Sequence, residues 1–286
     1  MRNYKSKIKT YNKDGVEIKM PDNFDDELYA ALKITRNTEG CLTEREMRFL
    51  FLLAAYSTAK GEILEIGSFK GKSTVILARA ARLAGDGGIA AVDPLTSPSE
   101  TDPCLKGKES GWEEFQNNLQ RGNVADMVEF HKMFSYELAN NWSRPIRLLW
   151  IDGDHTYSGA KQDFDLFLRF LSEGAIIAVH DILQNFEGPI RVFMEEVLQS
   201  DKFGPAGVCG TIGWAQHLKD KEVCMKYKRE KLDLYDRLSK LLPFAMGNKQ
   251  IKGINKILYK ILRARVPHSE IPPVKWINKV SVTKTA

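Results

Sequence analysis

The apolar positions of this chain change period repeatedly, and the changes lay out strands and helices in alternation. Ile63 to Ile66 is a short apolar run, broken at Gly67 and Gly71 before Val75, Ile76, Leu77 and Ala78 resume at helical spacing. That pattern predicts a strand, a tight turn and a helix over 71–84, ending near Gly85-Asp-Gly-Gly88. Further apolar runs predict buried strands at Ile89–Asp93, near Met127–His131, from Ile146 to Asp152 and from Gly174 to Asp181. Helical patterns begin at Trp112 and Phe115, at Tyr136–Asn140, over 158–171 and over 189–200, and Gly204–Gln216 suits a closing hairpin. Ahead of the first strand, Pro21–Ala59 reads as helical, with Thr43-Glu-Arg-Glu46 as an N-cap followed by a first-turn acid. This order predicts an α/β fold of Rossmann-like type, a mostly parallel sheet with a final antiparallel strand and helices on both faces.

With 286 residues, the chain suits one α/β domain over 21–218, flanked by a basic arm at 1–20 and a basic helical extension at 219–286. The net charge of +5 conceals an asymmetry of about +4 for 1–19, about −10 for 20–218 and about +11 for 219–286. No nucleic-acid motif accompanies the basic ends, so no nucleic-acid partner is expected. Neither a membrane-spanning apolar run nor an apolar signal segment after Met1-Arg-Asn-Tyr-Lys is present, which makes a cytoplasmic location the expectation. Cys41, Cys104, Cys209 and Cys224 lack C-x-x-C spacing, which argues against a cysteine zinc site or a disulfide framework. Over 248–265, Ile251, Ile254, Leu258, Ile261 and Leu262 form an apolar face surrounded by Lys249, Lys252, Lys256, Lys260 and Arg263. Such a helix can lie peripherally on an anionic inner membrane surface, which would suit a lipid-linked glycan substrate. Docking on its own domain or on a second subunit, in a homo-oligomer, is the alternative.

The turn after the first strand, Glu65-Ile-Gly-Ser-Phe-Lys-Gly-Lys-Ser73, has the make-up of a binding loop, with glycines for a sharp turn and free N–H donors at the helix start. A dinucleotide fingerprint would need Gly where Phe69 stands. A triphosphate loop would need one residue more before Gly71-Lys72-Ser73, and Glu65 would repel phosphates, although Leu148-Leu-Trp-Ile-Asp152 looks like a Walker B strand. A cationic, sugar-bearing ligand without phosphates tolerates that carboxylate. In an open parallel sheet, Asp93 at the end of the second strand can accept hydrogen bonds from ribose hydroxyls, or can cap its own loop before Pro94. Residues 94–111, rich in Ser, Pro, Gly, Thr and Asp, form a long connection where part of a substrate entrance is expected. Asp152, Asp154 and His155 emerge at the end of one buried strand, and His180 and Asp181 at the end of another. Two carboxylates converging there suit a hard divalent cation such as Mg²⁺, while an imidazole at His180 leans toward Mn²⁺, Fe²⁺ or Zn²⁺.

Glu65 to Ser73 resembles the first motif of the class I S-adenosylmethionine (SAM)-dependent methyltransferases, above all the cation-dependent O-methyltransferases of the catechol and antibiotic-sugar type. The resemblance extends, with gaps, over roughly residues 40 to 216. It implies a SAM site at Glu65, Gly67, Ser68, Phe69, Gly71, Ser73 and Asp93, with Ser135 near the adenine or serving as an N-cap. It implies a divalent cation, Mg or Mn, on Asp152, His180 and Asp181, and places His155 where the catechol-type enzymes carry a catalytic Lys. The implied reaction moves a methyl group to a hydroxyl of a sugar or secondary metabolite, with His155 as general base. A P-loop-like nucleotide enzyme and a non-catalytic SAM-binding accessory protein are the competing readings.

Overall fold

The computed structural model describes residues 20–85, 87–95, 111–246 and 251–280, and a short antiparallel pair, β1 (Thr10–Tyr11) and β2 (Glu17–Ile18). Most of the expected basic arm, and residues 96–110 of the expected substrate entrance, lie outside the described residues. Helices α1 (Phe24–Thr35) and α2 (Glu44–Ala55) precede β3 (Glu62–Ile66), α3 (Lys72–Ala84) and β4 (Ile89–Val92). Then come α4 (Trp112–Arg121), β5 (Val128–His131), α5 (Ser135–Ala139), β6 (Ile146–Ile151), α6 (Tyr157–Leu168) and β7 (Leu171–Val179). Helix α7 (Glu187–Val192) runs on as a π-helical turn, Phe193–Leu198, into the hairpin β8 (Phe203–Cys209) and β9 (Ile212–His217).

Seven strands form one sheet in the order β5-β4-β3-β6-β7-β9-β8, parallel from β5 to β7 and closed by antiparallel pairing of β9 with β7 and β8. The expected Rossmann-like sheet with a terminal antiparallel strand is therefore present. Side chains alternate across it. Leu64, Ile66, Leu149, Ile151, Ile177 and Val179 face α5, α6 and α7, whereas Ile63, Leu148, Trp150, Ile176 and Ala178 face α1 to α4. Both faces are covered, which is why the central strands read as unbroken apolar runs rather than alternating ones.

Beyond β9 come α8 (Lys221–Lys226), α9 (Lys228–Ser239), α10 (Leu242–Ala245), α11 (Ile254–Ala264) and α12 (Pro273–Val280). Leu234, Leu238, Ala245, Tyr259 and Val266 pack on the face that holds α6 and α7. Trp276 and Val280 of α12 pack on the opposite face, with the Trp276 ring 5.5 Å from Phe49 and 4.6 Å from Trp214. The C-terminal segment thus packs on both faces of the sheet. Gly253, at φ +58, precedes α11, so the helix starts where the sequence pattern weakens.

Candidate active site

The carboxyl ends of β3, β4, β6 and β7 open onto one cavity of about 710 Å³, a size that suits a small-molecule cofactor. Its wall includes Gly67, Ser68, Phe69 and Ser73 from the glycine loop, Asp93 after β4, Ser135 on α5, and Asp152, His155, His180 and Asp181. Six of the eight residues expected at the cofactor therefore line one space with all four expected at the chemistry. Glu65 and Gly71 are not among the lining residues.

Glu65 lies behind the loop. Its Oε2 accepts hydrogen bonds from Thr74 Oγ1 at 2.6 Å and Ser68 Oγ at 3.2 Å, so it ties the strand end to the start of α3. The expected direct hold on SAM becomes, in the structure, a hold on the loop. Burial pushes the Glu65 carboxyl up to about 7, opposed by the Ser73, Thr74 and Ser68 hydroxyls and reinforced by the charge of Asp152. Between its ordinary value of 4.5 and about 7, the folded protein keeps a proton that the unfolded chain releases. Its contribution, about 3 kcal/mol, is thus complete below pH 4.5 and is lost as pH rises through 7. Glu65→Gln, uncharged throughout, is expected to flatten this part of the stability profile in urea titrations below pH 4.5 and above pH 7. An unchanged profile would refute the assignment. Asp163, also pushed up to about 7 by burial, leaves a second decline in the same direction.

Asp93 closes the loop from the other side. Its Oδ2 accepts from the Ser68 and Phe69 backbone N–H groups, each at 2.8 Å, and its Oδ1 from Leu95 N–H at 2.7 Å. The loop-capping reading is therefore realised, while the side chain still lines the cavity. It also weakens the triphosphate reading, because the amides that would cradle phosphate face a carboxylate. Phe69, at φ +46, and Gly71, at φ +81, make the turn, and Gly71 N–H donates to Ser68 O at 2.7 Å.

Ser135 is the first residue of α5 rather than its N-cap, which is Phe134. Its hydroxyl donates to Asp163 on α6, a buried carboxyl that also lines the cavity and that the sequence pattern did not single out. The Phe134 and Tyr136 rings stack nearby, 5.3 Å between centroids.

At the other end of the cavity, Asp152, His155 and Asp181 bring ligand atoms within 4.8 Å of one another. His155 Nε2 lies 3.8 Å from Asp181 Oδ2, its ring stacks on Phe186 at 4.2 Å, and neither ring nitrogen has a hydrogen-bond partner. Asp181 sits at φ +59, a left-handed conformation that a non-glycine residue adopts only when its surroundings hold it. His180, expected as the third ligand, lies against both carboxylates and is not among the three residues that converge. Its Nδ1 is 2.8 Å from Asp152 Oδ1, and its Nε2 is 3.6 Å from Asp181 Oδ1 and 3.9 Å from Glu46 Oε2. Burial opposes charge on this ring, yet Asp152 and Asp181 hold its pKa well above the ordinary value. In this position the ring braces the two carboxylates and stands outside the group of three that converge.

Glu46 was legible only as a helix-capping acid, and it does close the capping box of α2 with Thr43. Its other oxygen, Oε1, accepts from both Thr211 N–H and Thr211 Oγ1 at 2.7 Å. Burial works against its charge, but His180 holds its pKa far below the usual carboxylate range. Helix α2 is thereby joined to the β8–β9 turn and to the residues around Asp181.

Residues 64–182 match the family model Methyltransf_24, described as a methyltransferase domain. Among solved structures, cofactor-bound Rv0187 from MTB shares 24% identity, covers 68% of this chain and 89% of its own, and gives a TM-score of 0.50. The O-methyltransferase from Bacillus cereus in complex with SAH shares 20%, covers 68% and 91%, and also gives 0.50. The uncharacterized protein R132 of Acanthamoeba polyphaga mimivirus is 27% identical over 124 residues, 41% of this chain and 50% of that protein, so the match spans about half the relative's length. The domain match bears out the methyltransferase reading of the sequence, and the structural likenesses bear out its fold.

Proposed function

We propose that this chain, which carries a methyltransferase domain at residues 64–182, is a SAM-dependent O-methyltransferase that methylates a hydroxyl of a sugar or secondary metabolite. The observation that carries the reading is the single cavity joining the Gly67–Ser73 loop to the Asp152, His155 and Asp181 group. SAM would lie over the loop, against Gly67, Ser68 and Phe69, with Asp93 beside its ribose and Ser135 and Asp163 toward its adenine.

The donor set fits a divalent cation: the carboxylates of Asp152 and Asp181 converge on one point, and beside them stands His155, whose ring nitrogens have no hydrogen-bond partner. Asp152 and Asp181 would hold Mg²⁺ or Mn²⁺, with His180 and Glu46 bracing them from behind. Such a cation, when bound, lowers the pKa of a hydroxyl that otherwise ionises near 15.7, roughly the value of water. His155 takes the proton from that hydroxyl, because its ring faces the same space and is committed to no other polar partner. Fixing the acceptor oxygen in line with the SAM methyl is then a matter of positioning. The sugar or secondary-metabolite acceptor rests on the likeness of the Glu65–Ser73 motif to antibiotic-sugar enzymes.

Calorimetric titration of EDTA-treated protein with SAM and with ATP, each repeated with Mg²⁺ or Mn²⁺, tests the cofactor. SAM binding without ATP binding is expected, followed by methyl transfer to hydroxylated acceptors that depends on added cation. ATP binding without SAM binding would overturn the proposal.

A further inference from the structure

Helix α11 carries two apolar faces, and only one of them is used. Tyr259 is buried, donates its hydroxyl to Leu183 O at 2.7 Å and lies 5.7 Å from the Phe244 ring. Just past the helix, buried Val266 anchors the chain, and Arg237 donates to Arg265 O at 2.7 Å. The helix is therefore fixed on the domain through the Tyr259 side. At about 100° per residue, Ile257 and Ile261 lie roughly opposite Tyr259. They are 57% and 50% exposed, and their stripe is completed by Ile254 at 75% and Leu258 at 45%. Four large aliphatic side chains at i, i+3, i+4 and i+7 thus face solvent, a continuous patch rather than scattered apolar residues.

The charges on the helix itself and on its flanking residues have one sign. From Arg237 to His268 and Ser269 the sequence contains no Asp or Glu, yet it includes Lys249, Lys252, Lys256, Lys260, Arg263 and Arg265. A second copy that covered the stripe with its own α11, in a two-fold dimer, would bring like charges together. A nucleic acid would pair with the cations and leave four aliphatic side chains unexplained. An anionic lipid surface satisfies both, since acyl chains accept the stripe and headgroups the cations. With 11 residues the helix is about 16 Å long, against a hydrocarbon core of about 30 Å, so it can only lie in the plane of the surface.

We propose that α11 is an interfacial helix that docks the enzyme on an anionic membrane surface through Ile254, Ile257, Leu258 and Ile261. The docked helix is tied to Leu183, two residues beyond Asp181, so membrane attachment holds the β7 end of the catalytic cavity close to the same element. The proposal does not depend on the reaction assigned to the cavity.

Cosedimentation of the full chain with phosphatidylcholine vesicles, and with vesicles of phosphatidylcholine and phosphatidylglycerol in equal parts, tests it. Binding to the anionic vesicles is expected, more than tenfold tighter than to the neutral ones and weakened by salt. Lys256→Gln with Lys260→Gln is expected to weaken it about fivefold per lysine. Ile257→Ser with Ile261→Ser is expected to abolish it while thermal midpoint and SAM affinity stay unchanged, because both side chains contact solvent. Absence of binding to anionic vesicles overturns the proposal, as does an isoleucine double variant that binds like the parent. So does a concentration-dependent dimer that the same variant dissolves, since a second copy would then occupy the face.

Discussion

Gly67→Ala is expected to cost at least about 3 kcal/mol and to leave little folded protein. A Cβ at this position would overlap the Asp152 carbonyl oxygen and lie 2.5 Å from its carbon, and the residue holds φ +87. Neither backbone can give way. Gly67 N–H donates to Val92 O at 2.9 Å, and Asp152 N–H to Ile66 O at 2.8 Å, so separating them would open the sheet between β3 and β6. The comparison that isolates this effect is Gly85→Ala, at φ +69 with nothing within 4 Å of the added Cβ. That variant pays only for the left-handed backbone, about 1 kcal/mol. Urea unfolding of the two variants decides: equal midpoints would show that the close approach of strands imposes nothing. The glycine that reads in sequence as room for a ligand is, in the structure, chiefly room for the neighbouring strand.

That shift of role shows what the sequence exposes and what it hides. The order of strands, the glycine loop and the acids at the strand ends were legible because each is written in a contiguous stretch with its own period. Partnerships between stretches were not. Glu65 and Asp93 both read as ligands for SAM, but which one faces the cavity depends on how the loop folds back, and Asp93 is the one that does. Glu46 announces itself as a capping acid in Thr43-Glu-Arg-Glu46, yet its second oxygen bonds Thr211, 165 positions away. Nothing local marks that contact. Likewise His180 and His155 are equally plausible ligands by spacing, and only the rotation of the His180 ring onto Asp152 separates them. Trp276 looks like part of a basic tail until it is found packed on Trp214 and Phe49.

Substitutions at the group proposed to face a cation are expected to have the largest effects on turnover, and they separate its members by role. Asp181→Ala removes a carboxylate that converges with Asp152 and His155, and it is expected to lower kcat by at least about 10²-fold. It should also weaken Mn²⁺ binding more than about tenfold while SAM affinity stays within about threefold, because the glycine loop is untouched. His155→Ala is expected to lower kcat by about 10²- to 10⁴-fold, the range for loss of a general base, with Mn²⁺ affinity little changed. His180→Asn retains a polar side chain beside Asp152 and is expected to cost about 10- to 100-fold through misplaced carboxylates. Mn²⁺ binding followed by electron paramagnetic resonance, beside single-turnover methyl transfer, distinguishes the cases. Loss of Mn²⁺ together with His155 would make that ring a ligand, as its place within 4.8 Å of both carboxylates allows, and the proton would then need another acceptor. Full activity in Asp181→Ala would show that turnover needs no cation held by Asp181, and would leave the proton transfer to His155, whose ring stacks on Phe186.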